Sequence, residues 1–221
     1  MSFYDQLVKE TESSRNYLLS SPIILRTFKG DISKEDYLAF LTQAFYHVRH
    51  TVPLLMAVGS KMTMEQEWLR EAIGEYIEEE MGHQEWILND IAAAGGNKEA
   101  VRHGKPDVST ELMVSYAYDT IHRGNSLGFF GMVLVLEGTS IKLATNAAEI
   151  IQKTLGLPDK AFSYLKSHGS LDLEHMDFFE SLMNKITNSE DQKAISHAAN
   201  VFYRLYADIF RSLDQTQVKA A

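Results

Sequence analysis

His168-Gly169-Ser170-Leu171-Asp172-Leu173-Glu174-His175 sets two imidazoles and a carboxylate at helical spacing. An α-helix turns by about 100° per residue, so Asp172 stands about 40° and His175 about −20° from His168. All three project from one arc, as ligands supplied by a single helix must. Glu79-Glu80-Met81-Gly82-His83 repeats the device upstream. Read as one continuous helix, it puts Glu79 and His83 at i and i+4, again about 40° apart. Glu80, three positions before His83, is a rival ligand.

Glu137 is the third element. It follows the apolar run Phe129-Phe130-Gly131-Met132-Val133-Leu134-Val135-Leu136. A carboxylate at the end of a buried helix is costly unless a cation, a donor or a proton meets it. Lys142 or Arg123 would make it a structural ion pair; a metal ion would make it a ligand. Together Glu79, His83, Glu137, His168, Asp172 and His175 form a His/carboxylate set able to hold two transition-metal ions, and the mixed nitrogen and oxygen donors suit iron or manganese. The three carboxylates do not neutralise two divalent ions, so an anion is expected to complete the site: a substrate carboxylate, a peroxide or a hydroxide.

Composition narrows the classes. A chain of 221 residues with a hydrophobic fraction of 45% and four prolines is expected to form one helical domain over residues 1–221. The formal net charge of −9, with no Lys/Arg cluster, argues against a nucleic-acid partner. The absence of cysteine excludes disulfides, thiolate ligands, iron–sulfur clusters and a cysteine nucleophile. Residues 1–6 lack a basic-then-apolar signal and no run reads as a membrane span, so a cytoplasmic protein without a membrane partner is expected.

Apolar residues recur at three and four throughout, broken where Gly, Pro, Asn and Asp cluster. The pattern predicts an all-α chain. Helices are expected from Phe3 to Leu19, from Ser33, an N-cap with Asp36 as its capping-box partner, to Met62 with a kink at Pro53, and from Thr63 through Glu79 and His83 to Ala92. Others are expected over Ser109–His122, Ser126–Leu155, Lys160–Ile186 and from about Asn188 to Leu213. His47 and His50, at i and i+3, read as core, capping or surface residues ahead of pocket-lining ones, and the aromatic residues Phe40, Phe45, Tyr46, Tyr116, Phe129, Phe130 and Phe178 as core, with some of them expected to wall any pocket between helices.

The order Glu-Glu-x-Gly-His (Glu79 to His83), a lone Glu on an apolar helix (Glu137) and His-x3-Asp-x2-His (His168 to His175) resembles the heme-oxygenase-like diiron oxidase and oxygenase superfamily. That superfamily lies in the wider group that includes the TenA and PQQ-synthase C proteins. The resemblance spans roughly Gly30 to Met183. It implies a seven-helix heme-oxygenase-like bundle, two Fe ions (Fe2+/Fe3+) held by the six residues named above, and a homodimer. The expected activity is that of an O2-dependent non-heme diiron oxidoreductase acting on a small or medium-sized carboxylate, amino acid or amine, with an external reductant. Two alternatives share the fold: a cofactorless PQQ-synthase-like oxidase and a non-catalytic iron-binding protein. A TenA-type thiaminase is excluded by the missing cysteine nucleophile, and a heme-degrading enzyme is disfavoured because no axial histidine precedes His47.

Overall fold

The computed structural model describes residues 1–219, including every side chain except those of residues 168–174 and 215–219. It holds twelve α-helices, three short 3-10 turns and, among the described residues, no strand. In chain order the helices are α1 (Phe3–Glu10), α2 (Glu12–Leu19), α3 (Pro22–Thr27), α4 (Lys34–Val48), α5 (Thr51–Gly59), α6 (Glu67–Glu80), α7 (His83–Ala93), α8 (Lys98–Arg102), α9 (Val108–His122), α10 (Phe129–Leu155), α11 (Ser163–Met183) and α12 (Ser189–Lys219). The all-α expectation holds. The count exceeds the expected seven because long helical runs are divided at short breaks.

The local signals explain several boundaries. Ser33 Oγ accepts the Asp36 N–H at 3.0 Å while the Asp36 carboxylate accepts the Ser33 N–H at 3.0 Å, which closes the capping box that opens α4. Arg26 bridges that carboxylate to Asp214 at 2.9 Å, tying α3 and α4 to α12. The expected helix from Ser33 to Met62 breaks at Arg49–His50 rather than at Pro53. Pro53 therefore lies in the first turn of α5, where a backbone N–H has no intrahelical acceptor and its absence removes no bond. Gly156, at φ +63°, ends α10 in the left-handed conformation that favours glycine.

α10 is the central strut and packs against both α11 and α12. The helical stretch Ser126–Leu155 is long and apolar enough to cross a membrane by composition, but 61% of its most apolar window is buried inside the protein, as a core helix requires. Its approach to α12 depends on Gly131. A Cβ there would stand 2.5 Å from the Ala199 backbone nitrogen and 2.9 Å from the Ile195 carbonyl oxygen. Neither atom can move without shifting α12. Gly131→Ala is therefore expected to cost at least the roughly 1–3 kcal/mol of ordinary overpacking, read as a fall in melting temperature; an unchanged or raised value would show that the two helices separate freely.

The buried apolar residues fall into two clusters. One joins α5, α6, α9 and the N-terminal half of α10 to α12; the other joins α4 and α7 to the C-terminal half of α10 and the start of α11. Between them lies a cavity of about 160 Å3, lined from both clusters.

Candidate metal centre

Gly82 decides how the second ligand pair is presented. Its φ of +95° interrupts the helix expected to run through Glu79 and His83, so α6 ends at Glu80 and α7 begins at His83. The i, i+4 phase therefore does not apply across these residues. The reason lies in packing: α6 lies on α5, whereas α7 lies on α4 and α11. A left-handed residue lets the chain turn from one partner to the other, and glycine adopts it without a Cβ clash.

The two glutamates before this turn then go different ways. Glu80 Oε2 meets His83 Nδ1 at 3.0 Å, with the Glu80 side chain 12% exposed and His83 buried. The carboxylate of Glu79, 53% exposed, reaches Nε2 of His175 at 2.8 Å. The other ring nitrogen of His175, Nδ1, faces Glu137 Oε1 at 3.9 Å, and both of those side chains are nearly buried. His83 stacks obliquely on Trp86 with ring centroids 4.1 Å apart, and Tyr76 packs edge-on against His175. α6, α7, α10 and α11 thus bring Glu79, Glu80, His83, Glu137 and His175 to one region.

His168 and Asp172 lie outside the described residues. Among the described residues, no three His, Asp or Glu side chains are already gathered into a metal-binding group. The donor set nevertheless fits iron chemically: carboxylate oxygens and imidazole nitrogens, two of the carboxylates opening on a cavity. Among the described residues Glu80 and Glu137 are the carboxylates of that cavity's wall, and no lysine or arginine lines it. Of the two cations considered beside Glu137, Arg123 pairs with Asp119, and Lys142 is exposed.

Asp90 locks the two imidazole-bearing helices together. Fully buried on α7, its carboxylate accepts the backbone N–H groups of Ser163 at 3.1 Å and Tyr164 at 2.8 Å, and the Ser163 hydroxyl. It thereby caps the first turn of α11 from a neighbouring helix, at the positive end of that helix's dipole. Burial pushes the Asp90 carboxyl above its ordinary value, and the same hydrogen bonds pull it back down. Asp90→Ala would leave two buried N–H groups without an acceptor, and a destabilisation of about 2–4 kcal/mol is expected in denaturant titration. A loss below 1 kcal/mol, which is about the net value of one ordinary hydrogen bond, would mean that water replaces the carboxylate.

Part of the aromatic stripe walls the cavity, as expected, and so does His47, which reads first as core, capping or surface. His47 is 2% exposed, lines it, and packs edge-on against Tyr206, another lining residue. Phe40 and Phe129 line it as well, while His50 turns away to the Tyr118 hydroxyl at 3.1 Å. The i, i+3 spacing of His47 and His50 carried no sign of this difference, which comes from the end of α4 at Val48.

A family model described as iron-containing redox enzyme matches residues 38–207. Among solved structures, a domain of unknown function with a heme oxygenase-like fold from Shewanella denitrificans superposes with a TM-score of 0.89 at 21% identity, covering 100% of this chain and 96% of its own. A TenA homologue from Pseudomonas syringae pv. tomato gives 0.80 at 12% identity, with 96% and 93% covered. Heme oxygenase-1 from the cyanobacterium Synechocystis, a complex with heme, gives 0.77 at 13% identity, with 100% and 96% covered. At these identities the likeness concerns the fold. Among curated proteins, none matches the chain.

Proposed function

Because this chain belongs to the iron-containing redox enzyme family and has the heme-oxygenase-like fold, we propose that it is a non-heme diiron oxidase or oxygenase that uses O2 to oxidise a small or medium-sized organic substrate. One observation carries this reading: Glu80 and Glu137, each with an imidazole beside it, face a cavity whose wall is otherwise largely apolar and, among the described residues, holds no lysine or arginine. Iron bound there would supply Lewis acidity and one-electron redox steps.

The chain's own residues have separable tasks. Glu80 with His83, and Glu137 with His175, would hold the metal, joined by His168 and Asp172 from α11. Glu79, on Nε2 of His175, would fix that ring's orientation and raise its basicity, leaving Nδ1 toward Glu137. The apolar walls hold the organic body of the substrate and exclude water from it. With no lysine or arginine among the described residues of the wall, an anionic head group would find its positive partner at the metal.

Anaerobic titration with Fe(II), followed by O2-consumption assays over a panel of carboxylates and amines, tests this. About two irons per chain and substrate-dependent O2 uptake are expected. Negligible iron uptake, or undiminished turnover after chelation, would replace the diiron reading with the cofactorless oxidase; iron uptake without any substrate-dependent O2 consumption would leave an iron-binding protein.

A further inference from the structure

Beyond Glu137, the face of α10 that lines the cavity carries Ser140, Ala144, Ala147 and Ile151. These positions advance by four, three and four, which is one straight helical stripe about 21 Å long from Glu137. Three of the four side chains are small, and Ile32 and Leu165 line the same cavity. In the other direction from Glu137 along α10, the lining residue Phe129 is bulky and buried. Phe28, which is exposed, also belongs to the lining and marks where the cavity reaches the surface.

We propose that the cavity takes an unbranched apolar chain, laid along this stripe of α10 with its head group at the Glu80/Glu137 end, and that Ala147 sets the length of chain accepted. The proposal rests on the diiron reading only for which end holds the head group. Its physical basis is charge and side-chain size. Beyond the two glutamates no Asp, Glu, Lys or Arg among the described residues lines the cavity, so a second charge on the ligand's body would be buried without a partner there. Ala147 is the last small residue of the stripe before Ile151, where a larger side chain would fill the slot.

Isothermal titration of the full-length protein with n-alkanoates and n-alkylamines of increasing length, in iron-loaded and iron-free samples, tests the proposal. Affinity is expected to rise roughly fourfold per methylene up to a limit. Ala147→Leu and Ala147→Phe are expected to lower that limit in order of size, weakening the longest ligands by about sixteenfold or more, the equivalent of two methylenes, while the shortest bind as before. Should the phenylalanine variant not fold, the leucine variant carries the test. Thr145→Leu, on the exposed face of the same helix, is expected to leave the profile unchanged.

Affinity that ignores chain length, or a limit that Ala147 variants do not move, overturns the proposal even if iron binds normally. A limit that moves in protein unable to take up iron supports the apolar slot and removes the diiron reading instead. A shift in Thr145→Leu as large as that in Ala147→Leu would show that the effect is not local to the cavity, and would also overturn it.

Discussion

Replacing Glu80 with alanine is expected to weaken iron binding by more than the roughly 10–100-fold that follows loss of a residue merely hydrogen-bonded to a ligand, whereas Glu79→Ala should fall within that range. The two adjacent glutamates look equivalent in sequence, yet they occupy different surroundings. Glu80 is nearly buried, touches His83 and lines the cavity. Glu79 is half exposed and meets the nitrogen of His175 that points away from Glu137. Removal of Glu80 deletes a donor; removal of Glu79 frees a ring that remains packed against Tyr76. Anaerobic competition against a chromogenic Fe(II) chelator measures both. A larger loss in Glu79→Ala than in Glu80→Ala would make Glu79 the ligand and reverse the two roles.

Glu137→Leu should abolish normal iron uptake and with it the stabilisation that iron confers. The carboxylate lies in the N-terminal half of a largely apolar helix, 13% exposed, with a ring nitrogen of His175 at 3.9 Å. A metal held by the native state alone stabilises it by about 2.7 kcal/mol at a hundredfold excess over its dissociation constant. In a protein of this size each kcal/mol is worth roughly 2–4 °C, so added Fe(II) should raise the melting temperature of the wild type by several degrees in calorimetry and leave the variant unmoved. A variant that Fe(II) stabilises as much as the wild type would count against the role of Glu137 as a ligand.

The fold class was legible because helical periodicity, caps and stops are local. The Ser33–Asp36 box, the Ser126–Leu155 segment and the stop at Gly156 each depend on residues within one turn of one another. The common arc of His168, Asp172 and His175 is likewise a matter of phase on one helix, and so could be read without knowing what faces it. The break at Gly82 was not legible, since glycine is tolerated inside helices at about 1 kcal/mol. Only the different packing partners of α6 and α7 convert that tolerance into a turn.

By itself, then, the sequence determined that the chain is all-α, that it carries His and carboxylate donors at ligand spacing, and that thiol chemistry is absent. The tertiary structure alone decided which of Glu79 and Glu80 faces inward, that His47 joins the cavity while His50 leaves it, and that small residues on α10 line it. The physical reason is the range of the forces concerned. Helix phase is set by hydrogen bonds four residues apart, whereas the space between helices is set by side chains more than a hundred residues apart, such as Ile32 and Leu165.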